Sequence, residues 1–257
     1  LITLMVMFNS MLAEKGGHLL SLMVLHCVGI GTASCILLFV KKKQNKIKGS
    51  LLWYSAGMVG VLVVYFNNLC FPVLGASVTL SLCIIGQSLG SIITDTTGIF
   101  GMTKHSFNKK QIIGFFIIFG GIIVMVENWH FRTGYVIIAL VTGLLVVLTM
   151  IFNSRLASCV GVFQTTRINY VTGLICILPI ALIYDFQLSV SLETLSNMHP
   201  LYIFGGGMTG VFIVAGINYV VPKLPTIYTT ILLFTGQVIT GLLIDYFMVQ
   251  DFSIRLV

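Results

Sequence analysis

The apolar residues of this chain run on unbroken. Stretches of about 20 residues with almost no charge occupy 19–40, 51–71, 74–94, 134–152, 200–221 and 226–244. The hydrocarbon core of a bilayer is about 30 Å thick, and about 20 helical residues cross it. The run 111–126 is shorter but extends to Trp129, and 160–184 carries one charge, Arg167. Residues 1–12 read as the tail of another span, which makes nine. The chain is 57% hydrophobic and only 8% charged, against roughly 25% charged in soluble domains. A transmembrane barrel would alternate over about ten residues instead of running on. The expected fold is therefore all-α, a polytopic membrane helix bundle. The chain starts at Leu1 and stops just after a span, so a longer first helix and a tenth helix are expected beyond its ends.

Net charge is +7, yet the placement of the charges says more than their sum. The cluster KKKQNKIK occupies 41–48, Lys104, Lys109 and Lys110 follow the fourth span, and Arg155, Arg167 and Lys223 lie near the ends of later spans. Assigning connections alternately to the two sides puts eleven of the 14 Lys and Arg on one side, leaving Lys15, Arg132 and Arg255 on the other. The positive-inside rule makes the first side cytoplasmic, with the N-terminus on it. Basic residues that track loops rather than a groove argue against nucleic acid as a partner. Trp53, Tyr54, Trp129, Tyr184, Tyr202 and Tyr246 fall at predicted span ends, where amphipathic rings settle. The six cysteines form no CxxC and lie almost all within apolar runs, so neither a disulfide framework nor a metal site is expected.

The chain repeats itself. Residues 57–95 align with 207–245 without a gap, with 13 identities that include Gly57, Gly60, Asn68, Pro72, Thr79, Gly86, Gln87 and Asp95. Their partners are Gly207, Gly210, Asn218, Pro222, Thr229, Gly236, Gln237 and Asp245. Upstream, FNSMLAEKGG at 8–17 matches FNSRLASCVG at 152–161, Gly29 matches Gly173, and His26 matches Tyr170. Apolar helices resemble one another by chance, but shared Asn, Gln, Asp, Pro and Gly do not arise that way. Two units are expected, 1–130 with five spans and 131–257 with four and a missing fifth. An odd number of spans turns the second unit upside down. The charges agree, because the connection after the second span is basic whereas its counterpart, Asp185 to Met198, carries Asp185 and Glu193 with no Lys or Arg. Inverted repeats of this kind mark secondary transporters.

The FNSxLA ends of spans 1 and 6 and the GQxxxxxxxD of spans 4 and 9 resemble the drug/metabolite transporter superfamily, closest to its YdcZ-type branch among EamA-like bacterial permeases. The resemblance covers essentially the whole chain. It implies ten helices as inverted five-helix repeats and export of metabolites or toxic compounds. The first span lacks the glutamate that small multidrug exporters of the superfamily use, so proton-coupled export by that route is not implied.

Polar residues within the spans are the candidate functional groups. Gln87 and Gln237 fall near the centres of spans 4 and 9, where an amide either bonds a neighbouring helix or lines a substrate path. Asp95 and Asp245 lie eight residues on, at a C-terminal end that opposes a carboxylate. Interfacial solvation, a gate ion pair, a loop cap and a coupling-ion site all remain open for them. Asn9, Asn153, Asn68 and Asn218 lie toward span ends, as helix caps or path residues. His26 and its counterpart Tyr170 lie within spans 2 and 7, as structural hydrogen-bonding residues or as part of a proton or substrate path. Arg167 either snorkels to the cytoplasmic interface or attracts an anion there. No phosphate loop, HExxH, GxSxG or dinucleotide motif occurs, and no cofactor is expected.

The expected function is a secondary transporter or permease of the bacterial cytoplasmic membrane for small polar metabolites or toxic compounds, working by alternating access. Its partners are the lipid bilayer and a small-molecule substrate, with a homo- or hetero-oligomer open. The alternatives are a non-transporting membrane subunit of a larger complex and a membrane-embedded enzyme. An enzyme is disfavoured because the seven carboxylates are scattered over loops and span ends.

Overall fold

The computed structural model describes residues 1–40, 50–74, 76–102, 104, 120, 129–183, 193–224, 226–233, 235, 236 and 239. No strand occurs among them. The elements are α1 (Ile2–Phe39), a 3-10 turn (Leu51–Ser55), α2 (Ala56–Leu74), α3 (Ala76–Thr97), a second 3-10 turn (Ile99–Gly101), α4 (Trp129–Val160), α5 (Val162–Ile183) and α6 (Pro200–Val220). Residues 226–233 are also helical. Among the described residues, five segments are long and apolar enough to cross a membrane: Met11–Phe39, Val78–Thr97, Thr133–Val160, Val162–Ile183 and Pro200–Val220. The expected fifth span at 111–129, the lysine cluster 41–48 and most of the ninth span lie outside the described residues, apart from isolated positions.

Helix α6 shows which solvent the chain is built for. It buries Gly205, Gly206, Gly207, Gly210, Val211, Ala215 and Asn218. It exposes Leu201, Phe204, Met208, Phe212 and Tyr219. A helix in water does the reverse. In lipid the large side chains can face outward at no cost, while small residues let helices approach. The chain is a polytopic all-α membrane protein.

Two glycines turn the chain. Within α1, Gly17 has φ 81° and ψ 161°, a conformation open only to glycine. The chain doubles back there, since Ser21 Oγ donates to the carbonyl oxygen of Asn9, 12 residues earlier, at 3.0 Å. Leu12, Leu20 and Val24 then share one buried cluster. Gly161, with φ 90°, separates α4 from α5 in the same way. These two glycines are the matched last residues of the FNSxLA repeat. Helix therefore persists past the apolar run at each turn, to Gly16 and to Val160, leaving one glycine as the whole connection. Gly161→Ala is expected to lower stability by about 1–2 kcal/mol, the cost of a left-handed conformation with a Cβ. Thermal unfolding in detergent measures it, and an unchanged midpoint would contradict the turn geometry.

The chain forms two compact units, Leu1–Tyr65 with Leu148–Lys223, and Phe66–Val147 with Leu224–Val257. In the first, α1 lies on the glycine run of α6. A Cβ at Gly205 would fall 2.6 Å from the Phe8 ring, one at Gly206 2.9 Å from Asn9 Cγ, and one at Gly207 2.6 Å from Val28 Cβ. In the second, α3 and α4 meet backbone to backbone. A Cβ at Gly86 would lie 3.0 Å from Gly143 Cα, and one at Gly143 2.7 Å from the Gln87 nitrogen. Cys70, Leu74, Leu82, Cys83, Ile85, Val136 and Ala139 form the buried cluster beside this contact.

Candidate functional site

Within the first unit, residues matched by the repeat pack on each other reciprocally. A Cβ at Gly29 would lie 2.5 Å from Tyr170 Cδ1, and one at Gly173 would lie 2.5 Å from His26 Cδ2. Each glycine thus seats the ring of the other helix. Pairing His26 with Gly173 and Gly29 with Tyr170 is the register of two antiparallel helices, the arm of α1 after Gly17 and α5. The rings meet edge to face, 5.7 Å between centroids at 71°, the favoured aromatic geometry. His26 Nδ1–H donates to the Leu22 carbonyl at 2.7 Å, and both rings are buried. The same reciprocity holds one contact further out. A Cβ at Gly57 would meet the Asn169 carbonyl oxygen and lie 2.7 Å from Gly173 nitrogen, while one at Gly207 would lie 3.0 Å from the Leu25 carbonyl oxygen. Leu25 and Asn169 are matched positions.

A polar face lies beside this contact. Thr166 and Asn169 are three residues apart, so they share a face of α5. Asn218 of α6 donates from Nδ2 to Thr166 Oγ1 at 3.3 Å, and Asn153 of α4 donates from Nδ2 to Asn169 Oδ1 at 3.3 Å. The Thr166 hydroxyl proton is already committed to the Val162 carbonyl at 3.0 Å. Asn218 must therefore present its amide nitrogen to Thr166, which turns its Oδ1 away. The Oδ1 atoms of Asn153 and Asn218 and Oγ1 of Thr165 are buried with no hydrogen-bond partner among the described residues, as are Arg155 Nε and Gln164 Oε1. Arg167, one residue after Thr166, is half-buried.

In the second unit, Asp95 is buried near the end of α3. Its Oδ1 and Oδ2 accept from the backbone N–H groups of Thr226 and Ile227 at 3.2 and 3.1 Å. These are donors that the first turn of a helix leaves unpaired. The negative end of its own helix disfavours the carboxylate, and the positive end of the helix at 226–233 offsets that. Thr230 Oγ1 donates to the Thr226 carbonyl, so Ser91 donates to Thr230 across the 3.0 Å contact between them. Ser91, Thr94 and Asp95 form a buried polar seam along α3. Asp95 is thus a cap on a distant helix and not a solvated interfacial group. Gln87 is half-buried at mid-α3, beside the glycine contact with Gly143.

Of the other expected site residues, Asn9 is half-buried, its amide over Gly206. Gln237 and Asp245 lie outside the described residues, as does the side chain of Asn68. The structure brings together His26 with Tyr170, and Asn153 and Asn218 along one face of α5.

One family model matches the chain twice, over residues 1–124 and again over 134–255. Its description is "Putative inner membrane exporter, YdcZ". The chain belongs to the YdcZ family. Among curated proteins, none matches it. The YdcZ description supports a transport role at a membrane. Sequence reasoning found the asparagines of this YdcZ chain but missed what they bond. Thr165 and Thr166 look like ordinary helix residues until the hairpin at Gly161 sets them against α4 and α6. The signal available was TTRIN at 165–169, a polar run inside an otherwise apolar span.

Proposed function

We propose that the chain is a secondary transporter of the bacterial cytoplasmic membrane that moves small polar molecules outward. It would work by alternating access between two units, 1–130 and 131–257, threaded through the bilayer in opposite senses. The observation that carries this reading is the reciprocal antiparallel contact of His26 and Gly29 with Gly173 and Tyr170. Exchanging two matched helices while reversing their direction is the operation of a two-fold axis in the membrane plane. His26 and Tyr170 each lie nine residues from their hairpin glycine, about 13 Å along a helix. That is close to the middle of a hydrocarbon core about 30 Å thick. The double match of one family model supports duplication, and its exporter description supports transport. The basic cluster at 41–48 and the acidic counterpart at 185–198 support the inversion, with the N-terminus cytoplasmic. Gln87 and Gln237 are path residues in this reading, and the chain is not an enzyme.

Labelling introduced cysteines in a cysteine-free background tests the topology. Ser189→Cys is expected to react with an impermeant maleimide in intact cells, and Gln44→Cys only after permeabilisation. Labelling of both from one side ends the inverted arrangement. Proteoliposomes test transport itself. A gradient-dependent flux of small polar solutes is expected, reduced in Gln87→Ala without loss of folded protein. No flux across a broad panel would favour a non-transporting subunit.

A further inference from the structure

The polar face of α5 has an apolar counterpart. Thr166 and Asn169 match Leu22 and Leu25, which are buried at the equivalent place. Thr165 matches Ser21, whose hydroxyl bonds the Asn9 carbonyl, whereas Thr165 Oγ1 has no partner among the described residues. The first hairpin therefore makes the same fold from leucines and a satisfied serine. The second has two hydroxyls and an amide at the same positions, Thr165, Thr166 and Asn169. Around them the amide oxygens of Asn153 and Asn218, which match Asn9 and Asn68, and the Thr165 hydroxyl are without partners among the described residues, as are Arg155 Nε and Gln164 Oε1. Unpaired buried polar groups destabilise a fold, so packing does not account for them. The Asn153 and Asn218 atoms are amide oxygens that can only accept, and Thr165 Oγ1 both accepts and donates. A carboxylate would be repelled by the amide oxygens. The charged side chains near them on α4 and α5 are Arg155 and Arg167, which disfavour an ammonium group.

We infer that Asn153, Asn218 and Thr165 form a binding subsite for a neutral molecule that offers O–H or amide N–H donors, of the polyol or carboxamide class. The subsite lies toward the Gly161 turn, Thr166 being about 8 Å from it along α5. It is the cytoplasmic mouth if the topology proposed above holds, and it rests on that transport reading for its role as a point of substrate entry. Alternating access would bring the unpaired oxygens to the ligand in place of water.

Radiolabelled mannitol serves as the neutral probe, with ethanolamine and lactate as the cationic and anionic ones, on the full chain in proteoliposomes. Mannitol is expected to raise the unfolding temperature of the wild type and to be transported. Asn218→Leu is expected to lose about tenfold in mannitol flux, the effect of about 1.4 kcal/mol, and to unfold at the same or a higher temperature. Thr165→Val, which removes only the unpaired hydroxyl, is expected to behave alike and keeps the test open if the leucine variant fails to fold. A lower unfolding temperature in Thr165→Val with mannitol flux and protection intact makes these packing residues and overturns the subsite. Protection by lactate or ethanolamine but not mannitol overturns the ligand class and leaves transport standing. Protection by mannitol without flux supports the subsite and overturns transport. Neither protection nor flux with any probe overturns the subsite.

Discussion

Gly57→Ala is expected to destabilise the protein by about 3 kcal/mol or more, whereas Gly60→Ala, three residues along α2, leaves stability unchanged or slightly raised. The added methyl at 57 would meet the Asn169 carbonyl oxygen and the Thr172 hydroxyl and stand 2.7 Å from the Gly173 nitrogen. Two of these are backbone atoms in the middle of α5, so no rotamer change relieves the clash and the helices must separate. Overpacking a close contact costs typically 1–3 kcal/mol, and the backbone character of this one places it at the upper end. At Gly60 a Cβ meets nothing within 4 Å, and alanine is the better helix former by about 1 kcal/mol. Gly207→Ala, the matched position, should fall between them, since its nearest contact is the Val28 side chain at 2.6 Å and the Leu25 carbonyl is 3.0 Å away. Thermal unfolding of the three variants in detergent gives the order. Equal stability of Gly57→Ala and Gly60→Ala would mean that α2 does not lie against α5 at this point.

Asp95→Ala is expected to cost roughly 2–4 kcal/mol. It removes the acceptor from two backbone N–H groups at a buried helix start, and each unpaired buried donor costs about 1–3 kcal/mol. A solvated interfacial aspartate would cost next to nothing, so the variant separates the two roles cleanly. Asp95→Asn keeps an acceptor for one amide but turns an NH2 group toward the other, and is expected to lie midway. Amide hydrogen exchange at Thr226 and Ile227 should accelerate in Asp95→Ala. Unchanged exchange there, with unchanged stability, would remove the cap.

Much of the fold was legible because lipid leaves few choices. Backbone groups in hydrocarbon must bond within their own segment, so long apolar runs become helices and only their ends are in question. Those ends are set by local chemistry that hydropathy does not register. The third span opens as a 3-10 turn, Leu51–Ser55, held by Ser50 and Ser55 side chains, and α4 continues eight residues beyond its apolar run to Val160. Hydropathy falls at Asn153 and Arg155, but the hydrogen-bond ladder does not break until a glycine permits it. The repeat was legible through its shared Asn, Gln, Asp and Gly. The candidate residues were legible only as types. Asp95 looked misplaced at a helix end that repels it, and nothing near it in sequence names its partner, which lies 131 residues downstream. The asparagines could be found, but their unpaired oxygens follow from which neighbour takes the amide nitrogen.

The sequence by itself determined that the chain lives in a bilayer, that it is helical, and that it is built from two related halves. Those properties follow from composition and local spacing, which act along the chain. Only the tertiary structure decided that His26 and Tyr170 meet over exchanged glycines, that Asp95 closes a distant helix, and that the buried amide oxygens of Asn153 and Asn218 find no partner among the described residues. Each depends on which helix lies beside which, and helix packing in lipid turns on the presence or absence of single methyl groups at points of contact. Local sequence carries no record of who stands on the other side.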